Sequence, residues 1–150
     1  MTYIPPFPRV DLVQTGKYRF EVDFGKAFPP FVMDEPHPIG DDEGPAPEQL
    51  LATSVAYCLS ASLFFALTKY RQEAGQIRAS AECTLGRNDE GRLRVTCIDV
   101  HIQLEADSAS LPHIDRALER FEPFCTASES VKAGIPVNVA VSDGAGKRLR

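Results

Sequence analysis

Apolar positions along this chain follow two periods. In residues 17–24, Tyr18, Phe20, Val22 and Phe24 alternate with Lys17, Arg19, Glu21 and Asp23. Period two of this kind predicts a strand with one buried and one charged face. Residues 9–15 predict a shorter strand ahead of it, with Gln14, Thr15 and Gly16 as the turn. Residues 77–85 and 92–104 read as two further strands about a turn at 86–91. In the second of these the apolar parity slips, from Leu93 and Val95 to Ile98, Val100, Ile102 and Leu104. A β-bulge near Thr96 and Cys97 produces such a slip, and so does burial on both faces.

Between the strand pairs runs an uncharged stretch, residues 50–68, opened by Pro47 and Glu48. Proline loses nothing at a first helical position, and a carboxylate suits the dipole there. The stretch predicts a long helix ending near Gly75. It is long enough to raise a membrane span, but Thr53, Ser54, Ser60, Ser62 and Thr68 interrupt it and no second such segment follows. The reading is a buried helix in a soluble protein.

Ser110 is the expected N-cap of a second helix, whose Ile114, Ala117, Leu118 and Phe121 fall at helical spacing before Pro123. Thr126 to Glu129 has the form of a capping box and predicts a short helix to about Ala133, closed by Gly134. Ile135, Val137, Val139 and Val141 alternate as a last strand. Residues 1–8 read as a Pro-rich arm and 143–150 as a frayed tail. Residues 25–44 read as a long irregular connection; loops of this length are functional or mobile. Its Phe28, Phe31, Val32 and Met33 are apolar enough to cover a pocket or a subunit interface, and its Asp41, Asp42 and Glu43 read as solvated surface. The order of elements defines an α+β fold, an antiparallel sheet packed on a long central helix, in one domain of residues 1–150.

Composition is that of a globular protein. The net charge of −5 argues against binding a phosphate backbone. The N-terminus has no basic region followed by an apolar run, so no signal peptide is expected. The four cysteines, Cys58, Cys83, Cys97 and Cys125, are then expected in a reducing compartment, the cytoplasm.

Those thiols are the candidate chemistry. Cys125 sits before the short helix, where unpaired N–H groups stabilise a thiolate; the competing reading is a small apolar residue beside Phe124. Cys58 lies mid-helix and gains nothing from a helix end. Unassisted it is an inert structural thiol, and to react it needs a cation nearby, for which a guanidinium is suited. Cys83 and Cys97 read as cross-strand packing thiols. His37, His101 and His113 lack metal-ligand spacing, and no Gly-rich phosphate loop is present.

Two motifs resemble the OsmC/Ohr family of thiol-dependent hydroperoxide reductases. One is Gly44-Pro-Ala-Pro-Glu48-Gln49-Leu50-Leu51 with Cys58 downstream. The other is Cys125-Thr-Ala-Ser128 followed by Val131 and Gly134-Ile-Pro-Val137. The resemblance implies an intertwined homodimer with active sites at the subunit interface. It implies that Cys58 attacks the peroxide and becomes a sulfenic acid, that Cys125 resolves it as a Cys58–Cys125 disulfide, and that Glu48 helps hold an activating arginine. Arg19 is the choice for that arginine and Arg9 the alternative. In place of the proline that often follows the second cysteine, this chain has Thr126. The implied substrates are organic hydroperoxides, with hydrogen peroxide as a lesser one. The implied reductant is an external dithiol, a lipoylated protein being one candidate. No bound cofactor, metal, nucleic acid or membrane is implied. Phe28, Phe31, Tyr57, Phe64 and Phe65 are candidates for an apolar substrate pocket. The alternative function is a non-catalytic binder of a small lipid or other small molecule on the same fold.

Overall fold

A computed structural model of the chain describes residues 9–25 and 28–134. The expected last strand, the N-terminal arm and the tail lie outside the described residues. The elements follow the order β1 (Asp11–Gln14), β2 (Phe20–Asp23), β3 (Phe31–Met33), α1 (Pro47–Lys69), β4 (Ile77–Arg87), β5 (Leu93–Leu104), α2 (Ile114–Phe121) and α3 (Thr126–Ala133). The fold is α+β. The strands form two sheets, β1-β2-β3 and β4-β5.

The chain divides into two compact units. One holds the described residues up to Ser54 together with Ser80–His101; the other holds Val55–Ala79 and those from Ile102 onward. The divisions fall inside α1, β4 and β5, each of which is continuous through them.

In the first unit β1 and β2 pair antiparallel, with Leu12 opposite Val22 and Gln14 opposite Phe20. The turn between them closes on Arg19, whose carbonyl accepts from Thr15 N (2.9 Å) and Gly16 N (3.2 Å). Arg19 therefore stands one residue before β2, at its entry. Val22 is buried, as the alternation requires, while Glu21 and Asp23 are exposed. The third strand corrects the reading of 25–44 as wholly irregular. Phe31 pairs with Val22 and Met33 with Phe20, and Phe31 stacks on Phe24 with ring centroids 5.4 Å apart. Three residues are too few to display a period, so only their apolar character signalled the strand.

Helix α1 begins as expected. Pro47 is its first residue, Glu48 lies in its first turn, and Gln49 Oε1 accepts from Ala46 N at 2.8 Å, the reach-back half of a capping box. Its end differs from the expectation. The helix stops at Lys69, six residues before Gly75, because Arg71 adopts φ 55°. Gln72 N donates to Leu67 O (2.9 Å) and Arg71 N to Thr68 O (3.0 Å). These two bonds are a Schellman motif with arginine where glycine usually stands. Left-handed backbone costs a non-glycine residue about 1 kcal/mol, and glycine's extra freedom in the unfolded chain returns part of it. Arg71→Gly is expected to stabilise the protein by about 0.5 kcal/mol, read as a higher urea midpoint at unchanged slope. A lower midpoint would mean that the Arg71 side chain itself holds the turn.

The second unit has its own core. Leu63, Ala66 and Leu67 of α1 pack with Ala74, Leu111 and Ala117, bordered by Ile102, Leu104, Ile114 and Phe121. This is one side of α1; the other leaves Tyr57 74%, Phe64 61% and Phe65 67% exposed. By length and composition α1 could cross a membrane, yet its Leu63–Ala66–Leu67 side is packed inside this core. The reading of a buried helix holds for this side of α1.

The β4–β5 turn is built on Asn88, whose Oδ1 accepts from Glu90 N (3.2 Å) and Arg92 N (2.9 Å). Gly91 takes φ 75° there, a conformation glycine adopts without strain. Along β5 the half-buried positions switch from Val95 to Ile98, Val100, Ile102 and Leu104. That switch falls where the sequence parity slips.

Two expected caps are replaced. Residues Ser108–Ser110 form a 3₁₀ turn, with Ser110 Oγ donating to Asp107 O, and the N-cap of α2 is His113. The N-cap of α3 is Cys125, so Thr126 is its first helical residue.

Candidate active site

Two thiols of the second unit are brought together. Helix α1 supplies Cys58, half-buried, near its middle. Cys125 lies between the 3₁₀ turn Glu122–Phe124, which contains Pro123, and α3. Pro123 ends the α2 hydrogen-bond ladder, and Cys125 then leaves helical geometry with φ −78° and ψ 100°. Its N–H donates to Glu122 O at 2.9 Å. Its Sγ, fully buried, accepts from Ser128 N at 3.3 Å. Sulfur thus fills the place that an oxygen usually takes at an N-cap. Lys132 bridges Glu122 and Glu129, tying the 3₁₀ turn to α3 around the thiol.

Burial pushes the Cys125 thiol above its ordinary value. The Cys58 thiol raises it further, by hydrogen bonding and by charge, while the N–H groups of Ser128 and Ala127 pull the other way. Burial outweighs the helix N-terminus, so Cys125 holds its proton at neutral pH. Of the two readings of Cys125, the structure favours the buried thiol over the stabilised thiolate. A dithiol in which the buried member keeps its proton beside a more accessible one can divide the roles of attack and resolution.

The other expected site residues belong to the first unit. Arg19 forms an ion pair with Glu43 at 3.0 Å. Its Nε is buried and, among the described residues, has no hydrogen-bond partner. Arg9 is different: it forks onto Asp11 (Nη2 to Oδ1, 2.7 Å) and is 81% exposed. Glu48 offers its backbone carbonyl to Cys83 Sγ at 3.4 Å. Among the described residues the carboxylate that pairs with Arg19 is thus Glu43, where Glu48 was expected to hold the arginine. Glu48 is committed to the first turn of α1, whereas Glu43 lies on the loop ahead of it. Cys83 and Cys97 direct their sulfurs to separate partners, Cys97 Sγ to Asp99 Oδ1 at 3.6 Å. The Asp99 charge holds the Cys97 thiol above its ordinary value, as burial and their hydrogen bond also do.

Sequence reasoning missed two residues here, Glu43 and Asp34. The Asp34 carboxylate is buried and accepts from Glu35 N (2.9 Å), Asp41 N (3.0 Å) and Glu43 N (3.3 Å). Burial alone would raise its pKa, but the three N–H groups and the Arg19 charge together hold it below the usual carboxylate range. An aspartate seven residues before Asp41 in a Pro-rich loop carries no sequence signal of that kind.

The order of helices and antiparallel strands puts the chain in the α+β class. Within it, a family model described as OsmC-like protein matches residues 40–140. The chain belongs to the OsmC-like protein family. Solved structures agree in fold. An OsmC-like protein of unknown function from Vibrio cholerae superposes with TM-score 0.69 at 14% identity, over 85% of this chain and 95% of that one. An organic hydroperoxide resistance protein from Elizabethkingia anophelis, with a crystallant-derived thiocyanate bound, gives 0.63 at 16% identity over 87% and 93%. An organic hydroperoxide resistance protein from Legionella pneumophila gives 0.64 at 14% over 87% and 92%. No curated protein matches the sequence significantly.

Proposed function

We propose that this protein is a thiol-dependent peroxidase that reduces organic hydroperoxides to alcohols. The observation that carries the reading is a free Cys58 on the central helix close enough to act on the free, buried Cys125 of the same unit. Two structures of the same fold bear the name organic hydroperoxide resistance protein, which supports the substrate class.

In this reading the Cys58 thiolate attacks the terminal oxygen of ROOH. The O–O bond breaks, RO⁻ leaves and takes a proton as ROH, and sulfur becomes Cys58–SOH. The Cys125 thiol then attacks that sulfur, water leaves, and a Cys58–Cys125 disulfide forms. An external dithiol, for which a lipoylated protein is a candidate, takes up the disulfide's oxidation and restores both thiols. Arg19 supplies the cation that favours the Cys58 thiolate and stabilises the departing oxygen. It is preferred over Arg9, which is exposed and spent on Asp11. Glu43 orients Arg19, with Glu48 a second carboxylate for the same task. The chemistry needs sulfur alone, so no bound cofactor or metal is assigned. The cytoplasm keeps such thiols reduced between turnovers.

The proposed assembly is a homodimer. Tyr57, Phe64 and Phe65 on the exposed side of α1 favour it, since large apolar groups gathered in one place mark an interaction surface.

The test is steady-state turnover with cumene hydroperoxide, hydrogen peroxide and dithiothreitol, with the mass of the reduced protein measured in solution. Rapid consumption of cumene hydroperoxide, slower consumption of hydrogen peroxide and twice the 16.5 kDa chain mass are expected. Absence of turnover with either peroxide would leave the fold as a small-molecule binder.

A further inference from the structure

The loop between β3 and α1 is organised around one carboxylate. Asp34 immediately follows β3, and its two oxygens collect three backbone N–H groups. Oδ1 takes Glu35, and Oδ2 takes Asp41 and Glu43. The turn they enclose is tight. Gly40 N donates to Pro36 O (3.1 Å), Asp42 N to Glu35 O (3.3 Å), and His37 N to Asp42 Oδ2 (3.1 Å). Gly40 is pressed against the anchor: a Cβ there would overlap the Glu35 carbonyl and lie 2.5 Å from Asp34 Oδ1. At the far end a Cβ on Gly44 would overlap the Val32 carbonyl. Both glycines are needed for close backbone approach. The last residue whose N–H Asp34 holds is Glu43, and Glu43 is the partner of Arg19.

We propose that Asp34 is a positioning residue, which pins the loop through Glu35, Asp41 and Glu43 so that the Glu43 carboxylate meets the Arg19 guanidinium. A buried carboxylate that holds only backbone N–H groups fixes where a chain runs, and here it fixes the carboxylate one residue past the loop's acidic pair. The Arg19 guanidinium pairs with Glu43, and its charge also helps hold the Asp34 carboxyl below the usual range. The consequence for chemistry rests on the peroxidase reading, in which Arg19 activates Cys58.

Two measurements test it. First, the amide protons of Glu35, Asp41 and Glu43 are followed by NMR in the wild-type protein as pH is lowered. They are expected to shift together, with one midpoint below the ordinary aspartate value of about 3.9. Independent or absent shifts overturn the proposal without any substitution. Second, the pH dependence of Cys58 alkylation by iodoacetamide is compared in wild type, Asp34→Asn, Glu43→Gln and the double variant. Asparagine must turn an NH₂ toward one set of donors, so the loop loosens. Each single variant is expected to raise the midpoint by about one pH unit, a tenfold slower reaction below it. The double variant should go no further, because both act through Arg19. A purely structural Asp34 would leave the midpoint unmoved, and that result overturns the positioning role. Failure of the peroxidase reading is seen separately, as wild-type thiols that survive peroxide.

Discussion

Cys58→Ser is expected to abolish peroxide reduction, bringing turnover to the uncatalysed rate. A hydroxyl is a far weaker nucleophile than a thiolate at neutral pH, and the remaining three cysteines cannot take the role. Cys125 is fully buried and its thiol is held protonated. Cys97 has its thiol raised by Asp99, and Cys83 is engaged with the Glu48 carbonyl. Cys125→Ser should behave differently. The first oxidation remains and stops at a Cys58 sulfenic acid, which a dimedone adduct records by mass spectrometry. Turnover by Cys58→Ser within tenfold of wild type would remove Cys58 from the chemistry.

Leu67→Ala is expected to produce the largest loss of stability, about 3 kcal/mol. Leu67 is 1% exposed and joins α1 to Leu111 and Ala117 in the core of the unit that holds both thiols. Removing its branched end leaves a cavity that the short helices around it cannot fill. For a chain of this size the loss corresponds to a fall in Tm of about 6–12 °C, measured by calorimetry or urea unfolding at unchanged slope. A loss under about 1 kcal/mol would mean that this side of α1 is not packed as described.

What could be read from the sequence depended on how local the signal was. The alternation of Phe20 and Val22 placed β2, because period two survives in four residues. Pro47 and Glu48 placed the start of α1 for the same reason: both act within one turn. Its end was hidden because Arg71 takes the left-handed position that glycine usually marks. Strand β3 was hidden by its length. The caps of α2 and α3 were displaced because Ser110 bonds back to Asp107 and because a cysteine does the work of a serine before Thr126.

The site was legible to a smaller degree. Sequence physics left Cys125 between a thiolate at a helix N-terminus and a small apolar residue, and burial, which is a tertiary quantity, decides the direction of the thiol's shift. Cys58 had no local support at all; only its resemblance to a family singled it out. Arg19 could be placed at β2 by alternation. Its carboxylate could not be placed, because Glu43 reaches it through a loop whose path is set by Asp34 and Gly40, and no periodicity encodes that path.

The most direct measurement is a thiol count after one equivalent of cumene hydroperoxide is added to the fully reduced protein, followed by peptide mapping. Rapid loss of two thiols per chain is expected, with a single new cross-link, Cys58 to Cys125, and with Cys83 and Cys97 still free. Four intact thiols after minutes of exposure, or a disulfide that omits Cys58, would contradict that expectation.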